Sequence, residues 1–182
     1  MGRESNGDHG DGALVARVLA GDTEAYGMLV ERYRRQFGRY ATAMCGDTDQ
    51  AADAMQDAFI RAYDGLASCQ EPDRFGSWFF RILTNQCHNH RSRSRTHQSL
   101  NGVSVASPES PERDLDSAEI RNAIGRALDD LSPELRETFV LREIEGRSYT
   151  EIAALLETGE PALRKRVERA RQAVRSALEQ WL

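Results

Sequence analysis

No run of apolar residues in this 182-residue chain approaches the ~18 that a membrane-spanning helix needs. Nor does an apolar stretch follow a positive start. Residues 1–10 are glycine-rich and polar, which argues against a secretory signal and reads as a disordered leader. The expected compartment is the cytoplasm, with no membrane insertion. Cysteine is scarce as well: Cys45, Cys69 and Cys87 are odd in number and widely spaced, so they form no disulfide framework. Cys87, His88 and His90 lie close together but match no common zinc spacing, and they read as ordinary helix residues. No metal and no cofactor is expected. No paired acid and base suggests catalysis either, so no enzyme activity is expected.

What is present is charge, unevenly placed. The net value of -5 argues against a nucleic-acid partner, but the distribution reverses that impression. Arg74 to Pro108 carries five arginines (74, 81, 91, 93 and 95) and no acid. Pro161 to Leu182 is net +4. Between them, Glu109 to Glu160 is net -8. Two basic islands in an acidic chain are either solvated faces or phosphate-binding surfaces. Local charge decides, because attraction fades beyond a Debye length of roughly 8 Å. The acidic segment is also a candidate to hold a basic helix in the free protein.

Helical periodicity dominates and predicts an all-α chain. Leu14, Val15 and Val18 mark a short first helix. Tyr26, Leu29, Val30, Tyr33, Phe37, Tyr40, Ala41 and Met44 mark a second, capped by Asp22 or Thr23. Ala51, Met55, Ala58, Phe59, Ala62 and Leu66 form a third stripe. Phe75, Trp78, Phe79, Ile82 and Leu83 form a fourth, continuing into Arg91–Arg95. These predict one helical domain over 11–95. The segment after it is serine-rich, with Pro108, Pro111 and Gly102, and 96–117 reads as a flexible linker. A second helical domain is expected over 118–182. Ile120, Ala123, Ile124, Ala127, Leu128 and Leu131 share one face. Ser132-Pro133 then opens a helix that stops at Gly146.

Ser148 and Glu151 have capping-box spacing at the head of a short helix. Glu157-Thr158-Gly159 turns into a long basic helix. That order is a helix-turn-helix. Leu163, Val167, Ala170 and Val174 would bury against Ile152 and Leu156. Arg164, Lys165, Glu168 and Arg169 share another face, which suits a major groove about 12 Å wide. Arg171 and Arg175 suit phosphates. A solvated basic helix closing a bundle is the rival reading, since cations near a helix C-terminus are favoured by its dipole anyway.

In the first domain, aromatic residues stand beside arginines: Phe75, Trp78, Phe79 and Phe80 precede Arg81, Asn85 and Arg91–Arg95. Such interleaving suits single-stranded DNA, whose unstacked bases lie on rings. Phe75, Phe79 and Ile82 have core spacing, while Trp78 is open to either role.

Three ordered stretches resemble the RNA polymerase sigma factors of the sigma-70 family, extracytoplasmic-function (ECF) subgroup. Asp53-Ala54-Met55-Gln56-Asp57-Ala58-Phe59-Ile60-Arg61-Ala62-Tyr63 is similar to the family's core-polymerase-binding helix. Phe75 through Asn85 is similar to its promoter-melting segment. Leu131-Ser132-Pro133 to Arg142, then Gly146 to Ala153, is similar to its second DNA-binding domain. The resemblance covers about 11–95 and 116–180.

The resemblance implies a factor that binds core RNA polymerase and directs it to promoters. The first domain would melt the -10 element and the helix-turn-helix would read the -35 element. Asp53, Gln56, Asp57 and Arg61 would face the polymerase. Trp78 would lie near the melting point of the -10 DNA and Asn85 at the position that reads a flipped-out base; the basic run adds Arg81, Arg91 and Arg93 to that -10 surface. Arg164, Lys165, Glu168, Arg169 and Arg171 would face the -35 DNA. An anti-sigma factor is a usual partner in this family. The family commonly has Gly, an apolar residue and Ser where Glu157, Thr158 and Gly159 stand here. A plain helix-turn-helix regulator of duplex operators, and a helical interaction module or an enzyme using Cys87, His88 and His90, are the competing expectations.

Overall fold

The structure, a computed structural model, describes residues 10–101 (side chains as far as Arg93) and 123–179. Among these residues all regular structure is helical, in keeping with the all-α expectation. The first domain holds α1 (Asp11–Leu19), α2 (Thr23–Cys45), α3 (Thr48–Asp64) and α4 (Phe75–Asn101).

Local chemistry sets the helix ends. The Asp22 carboxylate accepts from the amides of Glu24 and Ala25 at 3.1 and 3.2 Å, a cap of about 1 kcal/mol. Arg17 holds that carboxylate at 2.7 Å and draws its pKa below the usual range. Gly46 ends α2 in the left-handed conformation, at φ 78°. Asp47 caps α3 through the amide of Gln50 at 2.8 Å.

The core of this domain is aromatic. Tyr33, Phe37 and Tyr40 of α2 meet Phe75, Phe79 and Phe80 of α4, and Phe59 of α3 stacks on Phe79 at 4.5 Å between centroids. Gly76 lets α4 come this close: a Cβ there would stand 2.8 Å from the Tyr33 hydroxyl. Phe75, Phe79 and Phe80 are fully buried. Of the four aromatics beside the arginines, only Trp78 keeps an accessible ring.

Helix α4 runs to Asn101, into the segment read as linker from residue 96. The physical reason is that no Gly or Pro occurs between Gly76 and Gly102, and Thr, His, Gln and Leu are tolerated in a helix. The rest of that linker, 102–117, lies outside the described residues, as do residues 1–9 of the leader and Ile120.

The second domain holds α5 (helical over 123–129), α6 (Pro133–Phe139), α7 (Tyr149–Leu156) and α8 (Glu160–Leu178). Helix α6 continues as a π-helical turn, Val140–Ile144, where the Glu145 amide donates to the Val140 carbonyl at 2.9 Å. Gly146, at φ 69°, stops it. Ser132 stands at the N-cap of α6 but makes no side-chain cap bond, while Pro133 fills the first turn. The capping box before α7 is complete, with Ser148 and Glu151 each bonding the other's amide at 3.2 and 2.7 Å. Leu163, Val167 and Ala170 are fully buried. Leu155 takes the inner place expected of Leu156, which is half-buried.

The two domains share one apolar cluster. Val140, Leu141, Ile152, Leu155 and Leu163 join the core of the first domain. Helix α7 packs on α4 and the π-turn packs on α2. Arg147 lays its guanidinium over the Phe37 ring at 5.5 Å and donates to the Gln36 carbonyl. Arg39 answers from α2 with a bond to the Ile144 carbonyl at 3.3 Å.

Candidate nucleic-acid and polymerase interfaces

Helical geometry sorts the residues of α4. At about 100° per residue, Trp78, Arg81 and Asn85 fall within a narrow sector of the helix. Phe79, Leu83 and Cys87 line the buried sector. Asn85 and Arg93 are exposed and Trp78 is half-buried. Trp78 and Arg81 border a cleft of about 180 Å³ with Ser68, Gln70, Arg74 and Glu157. The short loop between α3 and α4 forms its far wall. A ring, two guanidinium groups and amide or hydroxyl side chains converge there, with the Glu71 and Glu157 carboxylates on the guanidinium groups; a ring beside arginines can stack a base and hold a phosphate that takes the place of those carboxylates.

Arg91 points elsewhere. It lies roughly 220° around α4 from Trp78. Its guanidinium donates to the Met44 and Cys45 carbonyls at 3.1 and 2.9 Å, closing the C-terminus of α2. It also forms an ion pair with Asp129 of α5. The structure therefore groups Trp78, Arg81 and Asn85 and leaves Arg91 apart from them.

On α8, Arg164, Lys165, Glu168 and Arg169 are exposed on one face, opposite the buried Leu163, Val167 and Ala170. Arg164 is held by Glu160 at 2.7 Å and lies over the Tyr149 ring at 4.5 Å. Thr150 donates to the same Glu160 at 2.8 Å, tying the heads of α7 and α8 together. These bonds draw the Glu160 pKa down, the Thr150 hydroxyl first and Arg164 next. Arg171, a pair of turns on from Arg164, is bonded to Glu143 at 2.8 Å. In the turn between the helices, Glu157 takes the left-handed conformation, at φ 51°. Gly159, at φ -66°, is the N-cap of α8, so its conformation needs no glycine.

The third surface lies on α3. Asp53, Gln56 and Arg61 are exposed. Asp57 is paired with His90 of α4 at 2.8 Å. Beside them a groove of about 730 Å³ runs between α2 and α3. Gln56, Ile60 and Tyr63 stand on its α3 wall, with Tyr26, Val30 and Ala41 opposite or beneath. Ile60 is 52% and Tyr63 45% exposed, unusual for large apolar residues on a helix that buries another face. Neither was singled out by sequence. Their spacing outside the Met55, Phe59 and Ala62 stripe is the signal that points to them.

Cys45, Cys69 and Cys87 are free and buried. Among the described residues no cluster of His, Cys, Asp and Glu could hold a metal ion, and no helix is long and apolar enough to cross a membrane.

Comparison with known proteins converges on one family. The model of Sigma-70 region 2 matches residues 29–96. The model of Sigma-70, region 4 matches residues 121–174. The RNA polymerase sigma-H factor of Pseudomonas aeruginosa is 32% identical over 184 residues, covering 94% of this chain and 95% of that one. The ECF RNA polymerase sigma-E factor of Escherichia coli is 32% identical over 176 residues, covering 90% and 92%. Two solved structures are similar. One is CnrH in complex with the cytosolic domain of CnrY (28% identity, TM-score 0.63, covering 93% of this chain and 97% of that one). The other is the sigma factor RpoE in complex with the anti-sigma factor NepR from Bartonella quintana (28% identity, TM-score 0.53, covering 87% and 97%).

The chain belongs to the sigma-70 family and is of the ECF type. It is a transcription initiation factor that binds core RNA polymerase and promoter DNA, and it is not an enzyme. These matches set aside the plain helix-turn-helix regulator, because both domains belong to the family in the order expected.

Proposed function

We propose that the two domains divide promoter recognition at the following residues. The first domain captures the melted -10 strand with Trp78, Arg81, Asn85 and Arg93. The second reads the -35 duplex with Arg164, Lys165, Glu168 and Arg169, while Arg171 and Arg175 meet phosphates. The observation that carries this reading is the contrast between the two surfaces. One is a cleft with a ring, and the other is a convex helix face with four adjacent polar side chains. Extruding a base costs a few kcal/mol, which stacking on Trp78 and a hydrogen bond from Asn85 offset. Arg164 and Arg169 have the donors to bond guanine edges, and Glu168 accepts from a cytosine amino group.

Core polymerase docks on α3 through Asp53, Gln56, Asp57 and Arg61, with Ile60 and Tyr63 supplying apolar contact beside the groove. Arg91 serves the fold, as a lid on the end of α2. The matched complex of RpoE with the anti-sigma factor NepR and the apolar groove support an anti-sigma partner for this chain as well, acting in the cytoplasm. Run-off transcription with purified core polymerase tests the assignment. Asn85→Ala is expected to leave polymerase binding intact and to lower transcription at promoters that depend on the -10 base. Full transcription would remove Asn85 from the site.

A further inference from the structure

By their positions the -10 and -35 elements lie about 25 base pairs apart, roughly 85 Å along a duplex at about 3.4 Å per pair. In this structure the two domains touch and share a core. The arrangement seen here is therefore a closed one that must separate before both elements are engaged.

One residue sits at the point where closing and DNA binding conflict. Glu157 reaches from the turn of the helix-turn-helix to the cleft on α4. Its carboxylate meets Arg81 at 3.0 Å and Arg74 at 3.3 Å. Arg74 is shared with Glu71, also at 3.3 Å. Beside it, the Ser77 hydroxyl donates to the Ala154 carbonyl of α7 at 3.4 Å. Glu157 thus places an anionic oxygen pair against two guanidinium groups beside Trp78, as a backbone phosphate would.

The backbone at Glu157 is informative too. It is the one residue other than glycine with positive φ among the described residues. That conformation is uncommon for a residue carrying a Cβ, and glycine adopts it freely. The turn alone would be better served by glycine. A long acid at this position makes sense if its side chain has a task.

We infer that Glu157 is an intramolecular competitor of promoter DNA: it occupies the phosphate-binding arginines of the first domain while the protein is closed. This rests on the assignment of Arg81 to the -10 surface. DNA binding and closure are then mutually exclusive at Arg74 and Arg81, and the free factor is kept from single-stranded DNA until the domains part.

The test uses the full-length protein without polymerase and a fluorescein-labelled pool of random single-stranded 20-mers, titrated across a salt series. Glu157→Gly and Glu157→Gln are compared with the parent chain. Releasing two half-exposed ion pairs is expected to tighten binding about fivefold at low salt. It should also steepen the slope of log affinity against log salt by about 0.7 for the freed Arg81, and by up to about 1.4 if Arg74 leaves Glu71 as well. Glu157→Gly suits the left-handed turn and should fold as well as the parent; Glu157→Gln keeps the side-chain length and checks that turn geometry is not the cause. Adding Arg81→Ala to Glu157→Gly should cancel most of the gain. Unchanged affinity and slope in both variants would overturn the competitor role. The site itself is read separately, in the holoenzyme. If Arg81→Ala impairs promoter melting there, the -10 assignment stands without the competitor; if melting is untouched, both fall.

Discussion

Thr84 of α4 and Glu137 of α6 are joined by a hydrogen bond of 3.1 Å across the boundary between the two domains. The same Thr84 hydroxyl lies 3.0 Å from the phenol of Tyr40, which is fully buried. A carboxyl of the second domain is thereby drawn into the interior of the first. Burial pushes its pKa up to about 6, against the lowering pull of the Thr84 bond.

A raised carboxyl pKa fixes the sign of a pH effect. Between its ordinary value near 4.5 and about 6, the folded protein holds a proton that the unfolded chain has released. The stability linked to that proton is full below about pH 4.5 and is lost as pH rises through about 6. Glu137→Gln keeps the acceptor for Thr84 and removes the titration. It is expected to raise unfolding stability at pH 7.5 by up to about 2 kcal/mol, and to leave stability at pH 4 nearly unchanged. Denaturant melts of both proteins at these two pH values measure it; parallel pH profiles would contradict it.

Phe80 and Trp78 are near neighbours in sequence but should answer mutation oppositely. Phe80 is fully buried between Phe37 and Tyr40, and Phe80→Ala is expected to cost about 3–5 kcal/mol. Trp78→Ala should cost far less stability yet abolish most promoter opening, read as permanganate reactivity of the -10 strand in the holoenzyme. Open-complex formation by the Trp78 variant at parental levels would assign that ring to packing alone.

On α3, Ile60→Asp and Asp53→Lys alter exposed side chains and should leave the thermal midpoint within a few degrees of the parent. Placing a charge at Ile60 removes an apolar contact and should weaken core polymerase binding tenfold or more, by fluorescence titration. Asp53→Lys should weaken it through charge. Unaltered affinity in both would move the polymerase surface off this helix.

Much of this organisation was readable before the structure. The stripes from Tyr26 to Met44 and from Leu163 to Ala170 predict their helices because burial enforces a 3.6-residue period. Ser148 and Glu151 announce α7 because a capping box is local chemistry. What escaped was long-range. Arg91 belongs to a basic run in sequence, and only the winding of α4 carries it round to the α2 carbonyls. Phe80 sits next to Arg81, yet it is core because α2 contributes aromatics to that side of α4. The end of α4 escaped because serine and arginine composition reads as linker, whereas no helix breaker occurs between Gly76 and Gly102. Glu157 stands where the family commonly has Gly, and its partners lie 76 and 83 positions away, out of reach of any local reading.

The central claim is that one domain takes melted -10 DNA while the other reads -35 duplex. It is tested most directly by selecting active promoters from a library randomised at both elements, using holoenzyme with the parent factor, with Asn85→Ala and with Lys165→Ala/Arg169→Ala. The account predicts that Asn85→Ala relaxes base preference in the -10 element alone, and that the double variant relaxes it in the -35 element alone. Loss of preference in the same element for both, or in neither, would contradict it.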